Sequence, residues 1–223
     1  MNDVIRNHPR PSDELLERFK DQQPATLHES MGKRGALDND IRPAWFGTRI
    51  CGSALTVHCR PGDNLMLHKA VSIAQPGDVL VVSADGFTEG GMWGEIITVA
   101  AMQKGIRGIV TDGGIRDTMP IHALGFPMYS RGISMKGTTK VTGGTINQPI
   151  VIGGVRVCPG DIVVGDNDGV VIVPLEEAET VLAASIAREM NEAVVMDRIR
   201  NGESTMDILG FQAAYDKLGL KED

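Results

Sequence analysis

Cysteine is scarce in this chain: Cys51, Cys59 and Cys158 are the three among 223 residues. None falls in a CxxC pair and the count is odd. That argues against a disulfide framework and for a reducing, cytoplasmic setting. All three read as small core or strand residues rather than nucleophiles. Aromatic residues make up 4% of the chain, and Met92 and Trp93 read as packing or site-lining groups rather than a base-stacking platform. No apolar run approaches the roughly 18 residues that cross a membrane. The opening MNDVIRNHPRPSDELLERFK lacks the apolar centre of a secretory signal. His28, His58 and His68 form no HxxxH or HxH pair, which disfavours zinc. There is no GxxxxGK[ST] loop for a nucleotide and no GxGxxG for a nucleoside cofactor, so a methyltransferase role is discounted. A net charge of −7 argues against broad phosphate neutralisation, and no nucleic-acid or membrane partner is expected.

What remains is an ordinary globular composition, 42% hydrophobic and 23% charged, with ample length for a buried core. No low-complexity linker, charge block or repeat divides it. One domain over 1–223 is expected, with a helical extension over 1–24 and a helical tail over 175–223. Helices are expected from Ser12 to Lys20, from Thr26 to Met31 with Thr26 and Glu29 as a capping box, and from Asn64 to Ala74. Strands are expected at Ala54–Cys59 and Asp78–Ser83, then a helix over 94–105, a strand over 107–111, a short helix near 117–124 and a strand near 127–130. Short strands follow at Pro149–Ile152, Gly154–Val157, Asp161–Val164 and Gly169–Val173, before a long helix from Leu175 to about Arg200. Asp166-Asn167-Asp168-Gly169 reads as a tight turn, not a calcium loop. Helices alternate with strands early and strands cluster later. That fits a layered α/β or α+β sandwich.

The chemistry concentrates between Gly90 and Asp117, GGMWGEIITVAAMQKGIRGIVTDGGIRD. A glycine-rich turn opens a helix, a short β-branched strand follows, and a second turn, Asp112 to Asp117, closes the unit. This layout can bring both turns to one end. Glu95 sits in the first helical turn, where the N–H groups of Glu95, Ile96 and Ile97 lack intrahelical partners and form an anion-binding end after Gly94. Arg116 can hold a carboxylate through two parallel hydrogen bonds, or serve as a surface or structural partner. Asp117 can ligate a hard cation with waters, or cap the helix that starts there. Lys136 and Lys140 lie in a nearby loop, but nothing marks either as desolvated.

At these residues the chain resembles the RraA-like proteins, and within them the 4-hydroxy-4-methyl-2-oxoglutarate / 4-carboxy-4-hydroxy-2-oxoadipate aldolases. The likeness runs from about Ala25 to Gly219 through ATLHESMGKRGALD, PGDNLMLHKAV, PGDVLVV, WGEII, GIVTDGGIRD, SMKGT, PGDIVVGDNDGVVIVP and NGESTMDILG. The helix start GEII paired with DGxxRD is the specific part. The resemblance implies an α/β fold, a layered αββα sandwich related to the swivelling phosphohistidine domain, with a C-terminal helical tail. It implies a homotrimer or homohexamer with sites between subunits.

It also implies a class II pyruvate aldolase that uses Mg²⁺ or Mn²⁺. Arg116 would bind the pyruvyl carboxylate and carbonyl region, and Asp117 would ligate the metal. Glu95, where the aldolases carry Asp, would orient metal-bound waters. The N–H groups of Ile96 and Ile97, following Gly94, would hold the pyruvate carboxylate. Glu192, or else Glu189, would reach the metal's water shell from a neighbouring subunit. The implied reaction is retro-aldol cleavage of a 4-hydroxy-2-oxo acid, the 2-oxo acid being the expected small-molecule partner. Oxaloacetate decarboxylation is the nearest alternative, since it uses the same enolate. A non-catalytic regulator of an RNA-degrading endonuclease is the alternative outside the enzymes.

Overall fold

The computed structural model describes residues 3–221. The chain enters through α1 (Asp13–Phe19) and α2 (Pro24–Ser30). Ser12 starts α1 because its Oγ accepts the Leu15 N–H (3.1 Å), and Leu15, Leu16 and Phe19 form its buried face. A two-residue strand β1 (Arg42–Pro43) precedes β2 (Ile50–His58), α3 (Leu65–Ile73) and β3 (Asp78–Ser83). Next come β4 (Gly91–Trp93), α4 (Glu95–Gln103), β5 (Gly108–Ile115), α5 (Thr118–Leu124) and β6 (Met128–Ile133). The later strands are β7 (Thr145–Ile146), β8 (Ile150–Ile152), β9 (Val155–Val157), β10 (Ile162–Gly165) and β11 (Val170–Val173). Helices α6 (Ala178–Arg200), α7 (Thr205–Ile208) and α8 (Gln212–Asp216) form the tail.

Nine strands share one sheet in the order β1-β6-β5-β3-β2-β10-β11, with β4 added beside β5 and β7 beside β2; β8 and β9 form a separate hairpin. The run β2-β3-β5-β6 is parallel, whereas β10 and β11 are antiparallel. Side chains alternate between faces along each strand, and that alternation builds the layers. In β2, β3, β5 and β6, Leu55, Leu80, Ile109 and Met128 face α3 to α5. Their neighbours Ala54, Val79, Val110 and Tyr129 face inward, where they meet Val163, Val170 and Ile172 of β10 and β11. The opposite faces of those two strands, Ile162, Val164, Val171 and Val173, pack on α1, α2 and α6. The order helix, sheet, sheet, helix is thus the expected αββα sandwich, formed by one sheet folded over its own core.

Three local expectations need correction. Thr26 does not cap α2: it lies inside the helix, which starts at Pro24, and its carbonyl accepts the Ser30 hydroxyl (2.7 Å). The turn expected over 112–117 is strand up to Ile115. β4 pairs alongside with Gly91 opposite Gly114, and Gly114 N–H donates to Phe87 O (3.0 Å). Glycine is needed there because a Cβ on Gly114 would lie 2.6 Å from Gly90 O. The long helix begins as a 3-10 turn, Leu175–Glu177, before α6 proper. The turn at 166–169 is as expected: Asp168 N–H donates to Asp166 Oδ1 (2.9 Å) and Gly47 N–H to Asn167 Oδ1 (2.7 Å).

Candidate active site

β4 is short, so its position depends on what surrounds it. The buried Asn64 side chain donates from Nδ2 to Met92 O (2.8 Å). Trp93 is fully enclosed, stacks on Phe126 with centroids 5.9 Å apart, and donates from Nε1 to Thr98 Oγ1 (2.7 Å). Thr98 Oγ1 in turn donates to Gly94 O (2.9 Å). A strap over 134–142 closes the outer side: Gly91 N–H donates to Lys136 O (2.9 Å) and Ser134 Oγ to Glu89 O (2.9 Å). Asp63, next to Asn64, holds that strap by accepting from Thr139 Oγ1, Val141 N–H and Thr142 N–H (2.8, 2.6 and 3.1 Å).

This scaffold delivers Gly94 and the start of α4 to the end of β5. Arg116 N–H donates to Trp93 O (2.8 Å), which brings the Arg116-Asp117 pair alongside Gly94. Asp117 adopts a left-handed φ of 56°. It stands at the N-cap position of α5 but makes no side-chain cap there. Its Oδ2 crosses instead to the next helix and accepts the Glu95 N–H (3.0 Å). So Asp117 caps α4, the helix it does not belong to. The first intrahelical bond of α4 runs from Thr98 N–H to Gly94 O (3.1 Å). Ile96 and Ile97 N–H therefore have no acceptor within the helix.

Arg116 Nε lies 3.6 Å from Asp117 Oδ2, is shielded from solvent, and makes no hydrogen bond. A Cβ at Gly94 would sit 2.6 Å from Asp117 Oδ2 and 2.9 Å from Arg116 Nε. Both reactive side chains thus lie directly over a bare backbone, and each is about two-fifths exposed. The geometry offers a guanidinium, a carboxylate and free helix N–H groups within one small space. It can bind a carboxylate and, beside it, a hard cation.

Glu95 and Ile96 are exposed at this helix start, Ile96 at 83%, while Ile97 is buried. Glu192 is not brought here within the chain. It sits on α6 and accepts from Arg188 Nε (2.8 Å). Glu189 lies one turn earlier on the same helix, its Oε1 enclosed and unpartnered. Among the described residues no three His, Cys, Asp or Glu side chains cluster to cage a metal. The donor set fits only a cation that keeps most of its own water. Other candidates fall away. Burial pushes the Cys51 thiol up to about 11 and Cys59 to about 12, which leaves both inert. Lys136 pairs with Glu89 at the surface. Neither Asn64 nor Asp63 stands out in the sequence beyond a PGD turn and the helix start after it.

The fold and site define a layered α/β protein with an Arg-Asp pair at a helix N-terminus. Residues 14–172 match the RraA-like model, described as Aldolase/RraA, and the chain belongs to that family. It is 32% identical over 205 residues to a Halalkalibacterium halodurans protein named "Putative 4-hydroxy-4-methyl-2-oxoglutarate aldolase", covering 92% of this chain and 95% of that one. Its fold is similar to an uncharacterized Pseudomonas syringae protein (TM-score 0.80, 30% identity, covering 89% and 93%). It is also similar to Streptomyces coelicolor RraAS2, described as an unusual member of the RNase ES inhibitor RraA family (TM-score 0.75, 31% identity, covering 85% and 100%). Among the described residues no helix is long and apolar enough to cross a membrane.

Proposed function

We propose that the chain is a divalent-metal-dependent pyruvate aldolase that cleaves a 4-hydroxy-2-oxo acid carrying two or three carboxylates. The observation that carries this is the convergence of Arg116 Nε and Asp117 Oδ2 over Gly94, at the free N–H groups of α4. Similarity to the protein from Halalkalibacterium halodurans supports it.

In this reading the substrate carboxylate sits on the Ile96 and Ile97 N–H groups. Arg116, whose Nε lacks a partner, binds the 2-keto oxygen region. Asp117 would hold Mg²⁺ or Mn²⁺, and Glu95 would order water around it. When bound, the cation acts as a Lewis acid on the keto group. The C4 hydroxyl loses its proton to water ordered by Glu95, the C3–C4 bond breaks, and a second 2-oxo acid leaves. The electron pair passes into the pyruvate enolate, whose oxygen is stabilised by the Arg116 guanidinium. Water then protonates C3. Glu192 enters from a neighbouring subunit of a homotrimer or homohexamer.

The same enolate would serve oxaloacetate decarboxylation. The likeness to RraAS2 favours a second reading, a binding protein without catalysis. The pairing of Asp117 with Arg116 argues for the enzyme. The test is pyruvate release from 4-carboxy-4-hydroxy-2-oxoadipate, 4-hydroxy-4-methyl-2-oxoglutarate and oxaloacetate, with Mg²⁺ and after EDTA. Metal-dependent pyruvate from a hydroxy acid is expected. Pyruvate from oxaloacetate alone would replace the aldolase with a decarboxylase. Full activity in EDTA, or none with any substrate, would sink the proposal.

A further inference from the structure

The N-terminal segment ahead of α1 is tied to the body as a strap. Ile5 N–H donates to Ile146 O (3.0 Å), Ile146 N–H to Asp3 O (2.9 Å) and Asn147 Nδ2 to Ile5 O (2.8 Å). Pro9 lies so close to Gly160 that a Cβ there would sit 2.1 Å from Pro9 O. At the far end of the strap Arg10 ion-pairs with the buried carboxylate of Asp78 and donates from Nη2 to Pro76 O (3.4 Å). A cavity of about 580 Å³ opens between strap and body, with His8 in its wall.

His8 is the weak point of the strap. Both of its ring nitrogens are enclosed, and neither makes a hydrogen bond. A neutral imidazole endures this with one unpaired N–H, whereas an imidazolium would leave a charge and two donors without partners. The ionisable groups around it are Arg10 on the strap and Asp78 at the start of β3, with Cys158, Asp161 and Glu176 in the cavity walls. Asp161 is engaged by the N–H groups of Cys158 (2.7 Å) and Leu175 (3.2 Å), and Glu176 is exposed. Burial, and then the charge of Arg10, holds His8 below its ordinary value. The Asp78 charge and the Arg6 carbonyl pull the other way and are outweighed.

We propose that residues 3–9 form a pH-sensitive latch, closed while His8 is neutral and released when its ring takes up a proton, with the Arg10–Asp78 pair as the tether. The folded value lies below the unfolded one, which is about 6.5. Closure is therefore complete above about pH 6.5 and is lost as pH falls below it. Amide hydrogen exchange on the native protein, corrected for the intrinsic rate, tests this. Protection of the Ile5 and Ile146 N–H groups should fall about tenfold from pH 7 to 5, while that of Leu80 and Val81 in β3 stays level. In His8→Phe, which cannot take a charge, the fall should vanish. A proton NMR titration of the unsubstituted protein should place the His8 midpoint below about 6.5. A fall that survives in His8→Phe would transfer the effect to Asp78 or another carboxyl. Equal loss in β3 would make it general unfolding. Unchanged protection, or a midpoint at or above about 6.5, would mean that the closed strap accepts the charge. Each of these outcomes overturns the proposal.

Discussion

Asp117 meets two demands at once: a left-handed backbone and a carboxylate aimed at another helix. Ala at a φ of 56° would be strained, so Asp117→Ala would mix backbone and charge effects. Asn tolerates that conformation and keeps an oxygen for the Glu95 N–H. Asp117→Asn should therefore fold normally yet lower kcat/KM by at least about a hundredfold, because a neutral amide is a poor ligand for a hard cation. Arg116→Lys keeps the charge and loses the planar fork, and a drop of about tenfold or more is expected. Wild-type-like kinetics in either variant would break the site assignment. Asp63 acts on stability instead. Burial pushes its carboxyl up, but the N–H groups of Val141 and Leu65, the Thr139 hydroxyl and the Thr142 N–H outweigh this and hold it at about 2. An unfolded Asp titrates near 3.9. The folded value is depressed, so its stabilisation is present above about pH 4 and is lost as pH falls towards about 2. Asp63→Asn should cost about 2–3 kcal/mol at neutral pH. The Tm gap between the two proteins should close as pH falls from 4 to about 2; a gap independent of pH would refute this account.

At the scale of elements, the site depends on β4 and the first turn of α4. Gly94 has φ −149°, extended backbone open to any residue. The nearest atoms to an added Cβ there would be the Asp117 carboxylate and the Nε and Cγ of Arg116, side-chain atoms rather than backbone. Gly94→Ala should thus shift Tm by less than about 3 °C while lowering kcat/KM by about a hundredfold through misplacement. Gly91→Ala is the contrast, because its Cβ would meet the Ser134 carbonyl at 2.4 Å. Backbone cannot yield cheaply, and a loss of about 1–3 kcal/mol is expected. A thermal scan and steady-state kinetics on both variants would separate the two effects. These contacts also explain what was legible in the sequence. Arg116, Asp117 and Glu95 stood out because reactive side chains flank glycines and a helix start. β3 was read residue for residue, because DVLVVS is buried on both faces and its apolar run is continuous. β4 was missed because GMW has no period to read, and its pairing partners lie more than twenty residues away. Distance along the chain also hid Asn64, whose side chain reaches the Met92 carbonyl and whose N–H reaches the Thr139 carbonyl. The helix that Asp117 caps was misjudged for a related reason: sequence adjacency points to α5, but space puts α4 nearer.

At the scale of the molecule, α6 is too long for the body it packs on. Its buried residues are Ala178, Val181, Leu182 and Ser185, all in its first half. Beyond them Ile186, Met190 and Val194 repeat every fourth position along one face and are 41, 68 and 59% exposed. An apolar stripe of this kind is costly to leave in water and marks a contact surface. Glu192 lies in the second half of α6, where it pairs with Arg188, and α6 packs on the layer opposite α4 and α5. If the proposed shared site is right, one subunit supplies Asp117 and another supplies Glu192. Asp117→Asn and Glu192→Gln proteins should then each be impaired alone. Unfolded, mixed in equal amounts and refolded together, they should recover about a quarter of the wild-type rate, the fraction of sites that draws an intact residue from each parent. Size-exclusion chromatography would show whether mixed oligomers had formed. Mixed oligomers without recovered activity would put both residues in one subunit's site or Glu192 outside the site. A monomeric wild-type protein with full activity would remove the shared site altogether.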